Sequence, residues 1–335
     1  MKKYNVGIMG ATGAVGQQMI AVLAERNFPV GELRCLASER SEGKTLNTPF
    51  GDVVIRKTCE TAFEGLDIVL GASENDVAEA MAPYIKKAGA VFVDNSSAFR
   101  LYPDVPLVVP EINPEDALKH NGIISNPNCS TIITLVAINA INKLSEIKGL
   151  YASTYQATSG AGAAGPREMF EQSKAILNGE TEVESKVFQH QIAFNLIPQI
   201  GGFGENGYSS EEMKLQNEGR KIMHLPEMKV SCTCVRVPVE RSHAISACVI
   251  TEDKLDLDAV RAAIAEAPGC KLCDNGEAHE YPMPIWTSGQ DIVYVGRIRR
   301  DLVNENGINL WCCGDQVRKG AATNAVQIAE LLIEK

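Results

Sequence analysis

A cysteine near the middle of the chain stands where a helix terminus would activate it. Cys129 follows an Asn-Pro-Asn sequence and precedes the apolar run at residues 132–138. Pro127 favours a turn after the preceding strand, and Asn128 or Ser130 can cap a helix that begins just beyond. Free N–H groups and positive potential at a helix N-terminus lower the pKa of a thiol and favour the nucleophilic thiolate. Cys129 is therefore a candidate nucleophile, with an ordinary buried cysteine as the alternative.

Two further side chains that could take part in catalysis lie at a turn in the second half of the chain. Residues 229–239 and 243–251 alternate in polarity, which predicts two strands of a mainly antiparallel sheet. Arg236 and His243 lie at the turn between these strands. An imidazole near a thiol can act as general acid and base. A structural histidine is the alternative, because the chain contains five histidines.

A helix with an acidic and a basic side chain on one face is predicted just upstream. Ser209 and Glu212 have the spacing of a capping box, which predicts a helix that reaches about Met223. Glu218 and Lys221 lie three residues apart and therefore on one face of that helix. From this spacing alone, a surface ion pair is the favoured interpretation.

The N-terminal residues have the pattern of a dinucleotide-binding loop. A short apolar strand at residues 4–8 leads into Gly10, Gly13 and Gly16, and apolar residues then recur at helical spacing up to Arg26. Glycines let the backbone approach a pyrophosphate, and the helix N-terminus supplies N–H groups. The spacing G-x-x-G-x-x-G differs from the common G-x-G-x-x-G, so a tight turn without ligand is the alternative.

The next predicted strand, residues 33–37, indicates which dinucleotide is bound. NAD-binding folds usually end this strand with an acidic residue that holds the ribose 2′-hydroxyl. Here Ser38, Arg40 and Ser41 follow, with Lys44 nearby, which suits a 2′-phosphate and favours NADP over NAD. Glu39 carries the opposing charge, and we expect it to point away. A solvated polar loop is the alternative.

Alternating strands and helices predict the fold of the first half of the chain. Residues 67–70 and 91–94 are predicted strands and residues 75–88 a helix, which is typical of a Rossmann-type, doubly wound parallel sheet. Arg100 follows the last of these strands, at the edge where open α/β sheets bind ligands. It could clamp a phosphate or carboxylate, with a surface arginine as the alternative.

The pattern changes after the helix that carries Cys129. Further strands are predicted at residues 151–157, 292–298 and 308–313, and a small-residue loop at 158–166 allows close backbone approach to a ligand. We predict an NADP-binding domain at residues 1–128, joined by a C-terminal helix within 317–335, and an α+β catalytic and dimerisation domain at 129–316.

Composition restricts the classes of function. Of 335 residues, 45% are hydrophobic and 22% charged, and the formal net charge is −10, which argues against nucleic acid or an anionic membrane as the main partner. We expect no signal peptide, no membrane span and no metal site. Ten cysteines scattered along a chain of this length predict reduced thiols in the cytoplasm.

Over its whole length the chain resembles the bacterial aspartate-β-semialdehyde dehydrogenase family. The resemblance rests on six motifs in the family's order, namely residues 10–16, the Ser-Ser-Ala-Phe-Arg segment ending at Arg100, residues 126–131, Glu218 with Lys221, Arg236 with His243, and Asp315 with Gln316. No functional residue that the family requires is missing. The resemblance implies a homodimer built largely on the sheet of the second domain.

The resemblance also implies roles for individual residues. Cys129 would form the acyl thioester, His243 would be the acid and base, and Gln156 would position the substrate. The substrate carboxylate and ammonium groups would be bound by Arg236 and Glu218, and its phosphate by Arg100 and Lys221. The implied contacts with NADP come from the glycine loop, from the strand end beyond it and from the second domain: Gly10, Thr12, Gly13, Ala14, Val15, Ser38, Arg40, Ser41, Ser159, Gly160 and Gln316.

The implied reaction is the NADPH-dependent reductive dephosphorylation of L-4-aspartyl phosphate to L-aspartate 4-semialdehyde. This step serves the biosynthesis of lysine and diaminopimelate, threonine, methionine and isoleucine. Two alternatives are an N-acetyl-γ-glutamyl-phosphate reductase and a non-catalytic NADP-binding protein. The former acts on a substrate without a free ammonium group, and the latter would not need Cys129 and His243.

Overall fold

The computed structural model describes residues 2–333 and divides them into two compact units. One unit is the described part of residues 1–128 and 321–335, and the other is residues 129–320. Met1, Glu334 and Lys335, which the predicted domain ranges include, lie outside the described residues. No helix within residues 2–333 combines the length and apolar character needed to cross a bilayer.

The strands and helices follow one another in the order that the sequence patterns predict, with several additional elements. The strands are β1 (Tyr4–Met9), β2 (Val30–Ala37), β3 (Thr45–Thr48), β4 (Gly51–Val54), β5 (Arg56–Lys57), β6 (Ile68–Gly71), β7 (Val91–Asp94), β8 (Ile123–Ser125), β9 (Ile147–Gln156), β10 (Lys229–Arg236), β11 (His243–Thr251), β12 (Cys270–Leu272), β13 (Val293–Arg300) and β14 (Gly307–Gly314). The α-helices are α1 (Ala14–Glu25), α2 (Asn75–Lys87), α3 (Cys129–Leu144), α4 (Ala164–Leu177), α5 (Ser210–Ile222), α6 (Leu257–Glu266), α7 (Pro284–Thr287) and α8 (Thr323–Leu331).

The first unit contains a parallel sheet with the strand order β5-β2-β1-β6-β7-β8. Two apolar cores cover its two faces: one includes residues of α1 and α8, and the other includes residues of α2. Strands buried on both faces need continuous apolar runs, as in β6 and β7. The predicted Rossmann-type, doubly wound sheet is confirmed.

The second unit contains a mixed sheet with the order β10-β9-β11-β14-β13-β12. Three neighbouring pairs are antiparallel, and the pairs β9–β10 and β12–β13 are parallel. The predicted mainly antiparallel sheet is therefore confirmed. Its register places Gln156 opposite Arg236, and His243 opposite Gly314. The ends of β9, β10 and β14 and the start of β11 thus meet at one edge of the sheet.

The segment before α8 departs from the single predicted helix. Residues Arg318–Ala322 form a π-helical turn, and α8 begins only at Thr323. The buried Asp315 carboxylate explains this start, because it accepts hydrogen bonds from the backbone N–H groups of Val317 and Arg318 at 2.9 and 3.0 Å. Single π-helical turns are often found at functional sites.

Candidate active site

A cleft of about 770 Å³ opens at the carboxyl ends of β1, β2, β5 and β6 in the first unit. Its lining includes five of the predicted cofactor residues, namely Gly10, Thr12, Gly13, Ser38 and Arg40. Ala14 and Val15 follow as the first residues of α1, and Ser41 ends the short turn Glu39–Ser41. The cleft lies where doubly wound sheets bind nucleotides.

Glycine is required at two positions of this loop. Gly10 has a φ of +85°, and a Cβ there would lie 2.4 Å from the Ala72 carbonyl oxygen. A Cβ on Gly16 would lie 2.3 Å from the Gly10 carbonyl oxygen, so this glycine lets α1 pack closely on the loop. The unusual glycine spacing therefore follows from packing: Gly10 packs against the end of β6, and Gly16 packs against the loop. Gly13, between them, lines the cleft.

The residues that line the cleft suit a polar ligand. Ser73 lines the cleft at the end of β6, and its buried hydroxyl has no hydrogen-bond partner within residues 2–333. A buried hydroxyl without a partner is costly, and a bound polar group would remove that cost. The site thus fits a dinucleotide.

The sequence did not predict a charged pair at the end of the cleft formed by β2 and β5. Lys57 lies beside Ala37 through the β2–β5 pairing, and its ammonium group is 3.1 Å from the Glu39 carboxylate. The hydrogen bond and charge of Glu39 raise the pKa of Lys57, so the side chain stays cationic. Glu39 lines the cleft together with Arg40 and Lys57, so the expectation that it points away is wrong.

Arg100 is buried in the first unit, which excludes the surface-arginine alternative. Only 6% of it is exposed, and its Nη2 donates to the Asn95 carbonyl oxygen at 2.7 Å. The nearby Asp94 is fully buried, and burial raises the pKa of its carboxyl group, against hydrogen bonds from Ser96 and the charge of Arg100. The loop after β7 therefore fixes the position of the Arg100 guanidinium.

Cys129 is the first residue of α3, as the helix-terminus argument predicts. The π-helical turn packs directly on it: a Cβ on Gly320 would lie 2.9 Å from the Cβ of Cys129. The side chain is partly exposed, unlike those of Cys232, Cys234 and Cys312. A partly exposed thiol at a helix N-terminus has the environment of a reactive cysteine.

His243 lies fully buried at the start of β11. Its Nδ1 accepts a hydrogen bond from the Ala157 N–H at 3.0 Å, and its Nε2 lies 3.5 Å from Nε2 of Gln156. Burial lowers the pKa of His243 to about 3, and the charge of Arg236 acts in the same direction. The imidazole is therefore neutral near pH 7.

The side chain of Gln156 is held between two buried partners. Its Oε1 accepts a hydrogen bond from the Thr154 hydroxyl at 2.9 Å, and its Nε2 donates to the Glu211 carboxylate at 3.1 Å. Glu211 also pairs with Lys214 at 2.9 Å. These contacts fix which end of the Gln156 amide faces His243.

Arg236 completes this group at the end of β10. Its Nη1 donates to the Ala157 carbonyl oxygen at 2.7 Å, and its guanidinium lies over the Phe188 ring at 5.7 Å. Burial lowers its pKa, while the negative charges of Glu211 and Cys129 oppose that change, so both groups lie within electrostatic range of it. The second unit thus brings a thiol, an imidazole, an amide, a carboxylate and a guanidinium together.

The remaining predicted residues of the second unit lie beside this group. A Cβ on Gly160 would lie 2.7 Å from Nη1 of Arg236 and 3.3 Å from Nε2 of His243, so a side chain there would displace the end of Arg236. Gln316 accepts a hydrogen bond from the Ser242 N–H at 2.8 Å and donates to the hydroxyl of Ser159. The loop after β9 is therefore tied to the segment after β14.

Glu218 and Lys221 lie further along α5 than the contacts described above. They are seven residues beyond Glu211 and Lys214, or about 10 Å along a helix axis. Glu218 is buried and Lys221 half-buried. Both pairs share the three-residue spacing, but the contact with Gln156 is made by Glu211. The roles predicted for Glu218 and Lys221 remain predictions, and Glu211 with Lys214 is the alternative pair on the same helix.

Two family models match the chain. Residues 5–120 match the semialdehyde dehydrogenase NAD binding domain, and residues 138–319 match the semialdehyde dehydrogenase dimerisation domain. These matches cover most of both units, so they identify a nucleotide-binding unit and an oligomerisation unit.

Individual relatives match nearly the whole chain. The aspartate-semialdehyde dehydrogenase of Aquifex aeolicus is 49% identical over 99% of this chain and 98% of its own. The crystal structure of aspartate semialdehyde dehydrogenase II from Vibrio cholerae, complexed with ASA, has a TM-score of 0.96 at 45% identity and covers 99% of this chain and 98% of its own. The enzyme of Candida albicans, solved with NADP, has a TM-score of 0.76 at 25% identity and covers 99% of this chain and 98% of its own.

Proposed function

The chain belongs to the aspartate-semialdehyde dehydrogenase family, and we propose that it reduces L-4-aspartyl phosphate to L-aspartate 4-semialdehyde through a thioester on Cys129. The observation that carries this proposal is the group at one edge of the second sheet. The Cys129 thiol, at a helix N-terminus, lies within electrostatic range of the buried Arg236 guanidinium. Arg236 donates to the Ala157 carbonyl oxygen, and the Ala157 N–H donates to His243. Such a group suits acyl transfer to sulfur.

The chemistry begins at the thiolate. Cys129 Sγ attacks the acyl carbon, the new C–S bond forms, and the bond from carbon to the phosphate oxygen breaks, releasing phosphate. When bound, the reduced nicotinamide supplies a hydride to the thioester carbon. The tetrahedral species then collapses, the C–S bond breaks, and the aldehyde leaves a regenerated thiolate. Cys129 must stay reduced to act, so we expect the reaction to take place in the cytoplasm.

Charged residues of the second unit account for the functional groups of this substrate. We assign the α-carboxylate to Arg236, because a guanidinium binds a carboxylate in a bidentate manner. We assign the α-ammonium to Glu211, whose carboxylate contacts Gln156. We assign the phosphate to Lys214, which pairs with Glu211, and Arg100 remains a predicted phosphate ligand. Glu211 and Lys214 thereby take the roles first predicted for Glu218 and Lys221.

We propose NADP as the cofactor. The adenine-ribose end of the cleft carries Arg40 and Lys57, with Ser38 as a hydroxyl donor, and a 2′-phosphate needs such groups. Gly10, Thr12 and Gly13 would hold the pyrophosphate beside the start of α1. Ser159, Gly160 and Gln316 remain the predicted contacts from the second unit.

We also propose that the enzyme is a homodimer. The second unit matches a dimerisation domain, and its sheet exposes aromatic side chains: Tyr151 on β9 is 62% exposed. Large exposed aromatic residues on a sheet are typical of an interface. The product would then supply the biosynthesis of lysine and diaminopimelate, threonine, methionine and isoleucine.

A reverse assay tests the proposed function. The purified chain is mixed with L-aspartate semialdehyde, NADP⁺ and phosphate, and formation of NADPH is followed by absorbance. We expect turnover that needs all three and that stops in the Cys129→Ala variant, which should still bind NADPH. N-acetyl-glutamate semialdehyde, which has no free ammonium, should be a poor substrate. Equal use of both aldehydes, or turnover by the variant, would refute the proposal.

A further inference from the structure

The guanidinium of Arg236, assigned above to the substrate α-carboxylate, is covered on one face by an aromatic ring. The centroid of the Phe188 ring lies 5.7 Å from the guanidinium carbon. Arg236 is 6% exposed and Phe188 is 8% exposed, so the protein excludes most water from around the pair. A cation over an aromatic face is attracted by the ring quadrupole, and the attraction is stronger when water is excluded. The ring therefore favours this one position of the guanidinium.

The tip of the Phe188 ring contacts a glycine beside the site. A Cβ on Gly165 would lie 3.2 Å from Cζ of Phe188 and 2.1 Å from the Thr158 carbonyl oxygen. The ring thus fills the space between Arg236 and the start of α4. At the same guanidinium, Nη1 donates to the Ala157 carbonyl oxygen at 2.7 Å. Loss of the ring would open a void next to the guanidinium, into which the side chain could turn.

A buried carboxylate fixes the backbone that carries Phe188. Glu168 of α4 is buried, and its carboxylate accepts hydrogen bonds from the three successive N–H groups of residues 186–188 at 2.7, 2.7 and 3.2 Å. Hydrogen bonds to a charged group are the stronger kind. One helical turn later, the amide oxygen of Gln172 accepts two further N–H groups, from residues 192 and 193. The position of the Phe188 ring is therefore set by α4.

The same segment is also paired with the backbone of Arg236. Ile197 and Arg236 form an antiparallel bridge with two N–H···O=C hydrogen bonds of 3.0 and 2.8 Å. Phe188 and Ile197 belong to one small apolar cluster, which includes Met169 of α4. The segment 188–197 thus contacts Arg236 twice, at the side chain through Phe188 and at the backbone through Ile197.

We propose that Phe188 is a positioning residue that holds the Arg236 guanidinium in place for the α-carboxylate of the substrate. Fixing a long, flexible side chain only when a ligand arrives costs affinity, and a side chain that is already in place avoids that cost. The negative face of the ring contributes to this role together with its volume. The proposal rests on the proposed function, because it requires Arg236 to bind the carboxylate.

Aldehydes that differ by one charged group show which part of the substrate depends on the ring. Succinate semialdehyde keeps the carboxylate and lacks the ammonium group, whereas 3-aminopropanal keeps the ammonium group and lacks the carboxylate. In Phe188→Leu, we expect kcat/KM to fall by about tenfold for aspartate and succinate semialdehydes, mainly through KM. With 3-aminopropanal it should change by less than about twofold. Equal losses for all three aldehydes would indicate a general structural effect and overturn the proposal.

Fluorination of the ring tests its electrostatic contribution at nearly constant shape. Replacing Phe188 by 3,5-difluorophenylalanine withdraws electron density from the ring face, so the KM for aspartate semialdehyde should rise by about threefold while kcat stays within about twofold. The same replacement at Phe170, which is 53% exposed on α4, is the matched control and should leave KM unchanged. An unchanged KM after fluorination of Phe188 would overturn the electrostatic role.

A double-mutant cycle separates this inference from the proposed function. The kcat/KM for aspartate semialdehyde is measured for Phe188→Leu, Arg236→Gln and the double variant. We expect Phe188→Leu to have almost no effect in the Arg236→Gln background, because the guanidinium that the ring positions is gone. Additive losses in an active enzyme would overturn the positioning role alone. An unmodified chain that does not oxidise aspartate semialdehyde would instead refute the proposed function.

Discussion

At the scale of single residues, the position of a charge along one helix decides what it can bind. Glu211 and Glu218 are both buried acidic residues on α5, and each has a lysine three residues later. Of these two carboxylates, Glu211, near the helix N-terminus, is the one that accepts a hydrogen bond from the Gln156 amide, at 3.1 Å. We therefore expect the substrate ammonium group to depend on Glu211.

Paired substitutions distinguish the two carboxylates. Glu211→Gln keeps the shape and removes the charge, so the KM for aspartate semialdehyde should rise by about tenfold or more, because a hydrogen bond to a charged group contributes about 1.5–3 kcal/mol. Glu218→Gln is the matched control and should change that KM by less than about twofold. The KM for NADP⁺ should stay unchanged in both. A larger effect of Glu218→Gln in steady-state assays would return the ammonium role to that residue.

At the scale of elements, close packing of two backbone segments places the nucleophile. The π-helical turn contacts the start of α3 at Gly320, where a Cβ would lie 2.9 Å from that of Cys129 and 3.3 Å from its Cα. A side chain at this position must push the turn away from the thiol. Displacements of this kind are costly for catalysis even when they are small.

Gly320→Ala tests that contact. We expect kcat to fall by about tenfold or more and the free energy of unfolding to fall by about 1–3 kcal/mol, as in other overpacked sites. Gly276→Ala is the control, because a Cβ at Gly276 has no neighbour within 4 Å. Gly276→Ala should change the free energy of unfolding by less than about 0.5 kcal/mol. Urea unfolding and steady-state kinetics measure both, and a fully active Gly320→Ala variant would rule out the positioning role.

The ends of β2 and β5 form a second pair of elements with a shared task. Arg40→Gln and Lys57→Gln each remove a cation from the cleft, so binding of 2′,5′-ADP should weaken by about fivefold or more while binding of 5′-AMP stays the same. Glu39→Gln should strengthen 2′,5′-ADP binding, because it removes a like charge. Lys44→Gln is the control, because it makes the same change of charge at a lysine that is not part of the cleft lining, although the sequence placed it near the 2′-phosphate. Calorimetry that finds no preference of the unmodified chain for 2′,5′-ADP would contradict the assignment of NADP.

At the scale of the whole molecule, local patterns predict the elements, and long-range pairing decides how they meet. Alternation of strands and helices indicates the parallel sheet, the capping box at Ser209 indicates α5, and both are present. Pairing of β9 with β10 is parallel and crosses a long stretch of chain, so no local pattern reveals that Gln156 and Arg236 lie side by side. Lys57 depends in the same way on the β2–β5 pairing. The choice between Glu211 and Glu218 escapes periodicity, because both fall on the same helix at equal spacing from a lysine.

The buried imidazole makes the stability of the whole protein depend on pH. Unfolded His243 takes up a proton near its ordinary pKa of about 6.5, whereas the folded residue does so only at about pH 3. Protons therefore favour the unfolded chain between these values, and stability falls as the pH is lowered through that window. Lowering the pH from about 6.5 to about 5 should reduce the free energy of unfolding by roughly 2 kcal/mol through this residue. The loss should be absent from His243→Gln, and equal acid sensitivity of the two proteins in urea unfolding would contradict it.

The thioester on Cys129 is the central claim, and it can be trapped. The protein is mixed with L-aspartate semialdehyde and NADP⁺ without phosphate, quenched in acid, digested and analysed by mass spectrometry. We predict an aspartyl thioester on the peptide that contains Cys129, formed together with one equivalent of reduced nicotinamide and lost when phosphate is added before the quench. Reduction of the nicotinamide with an unmodified Cys129 peptide, in the absence of phosphate, would contradict the account.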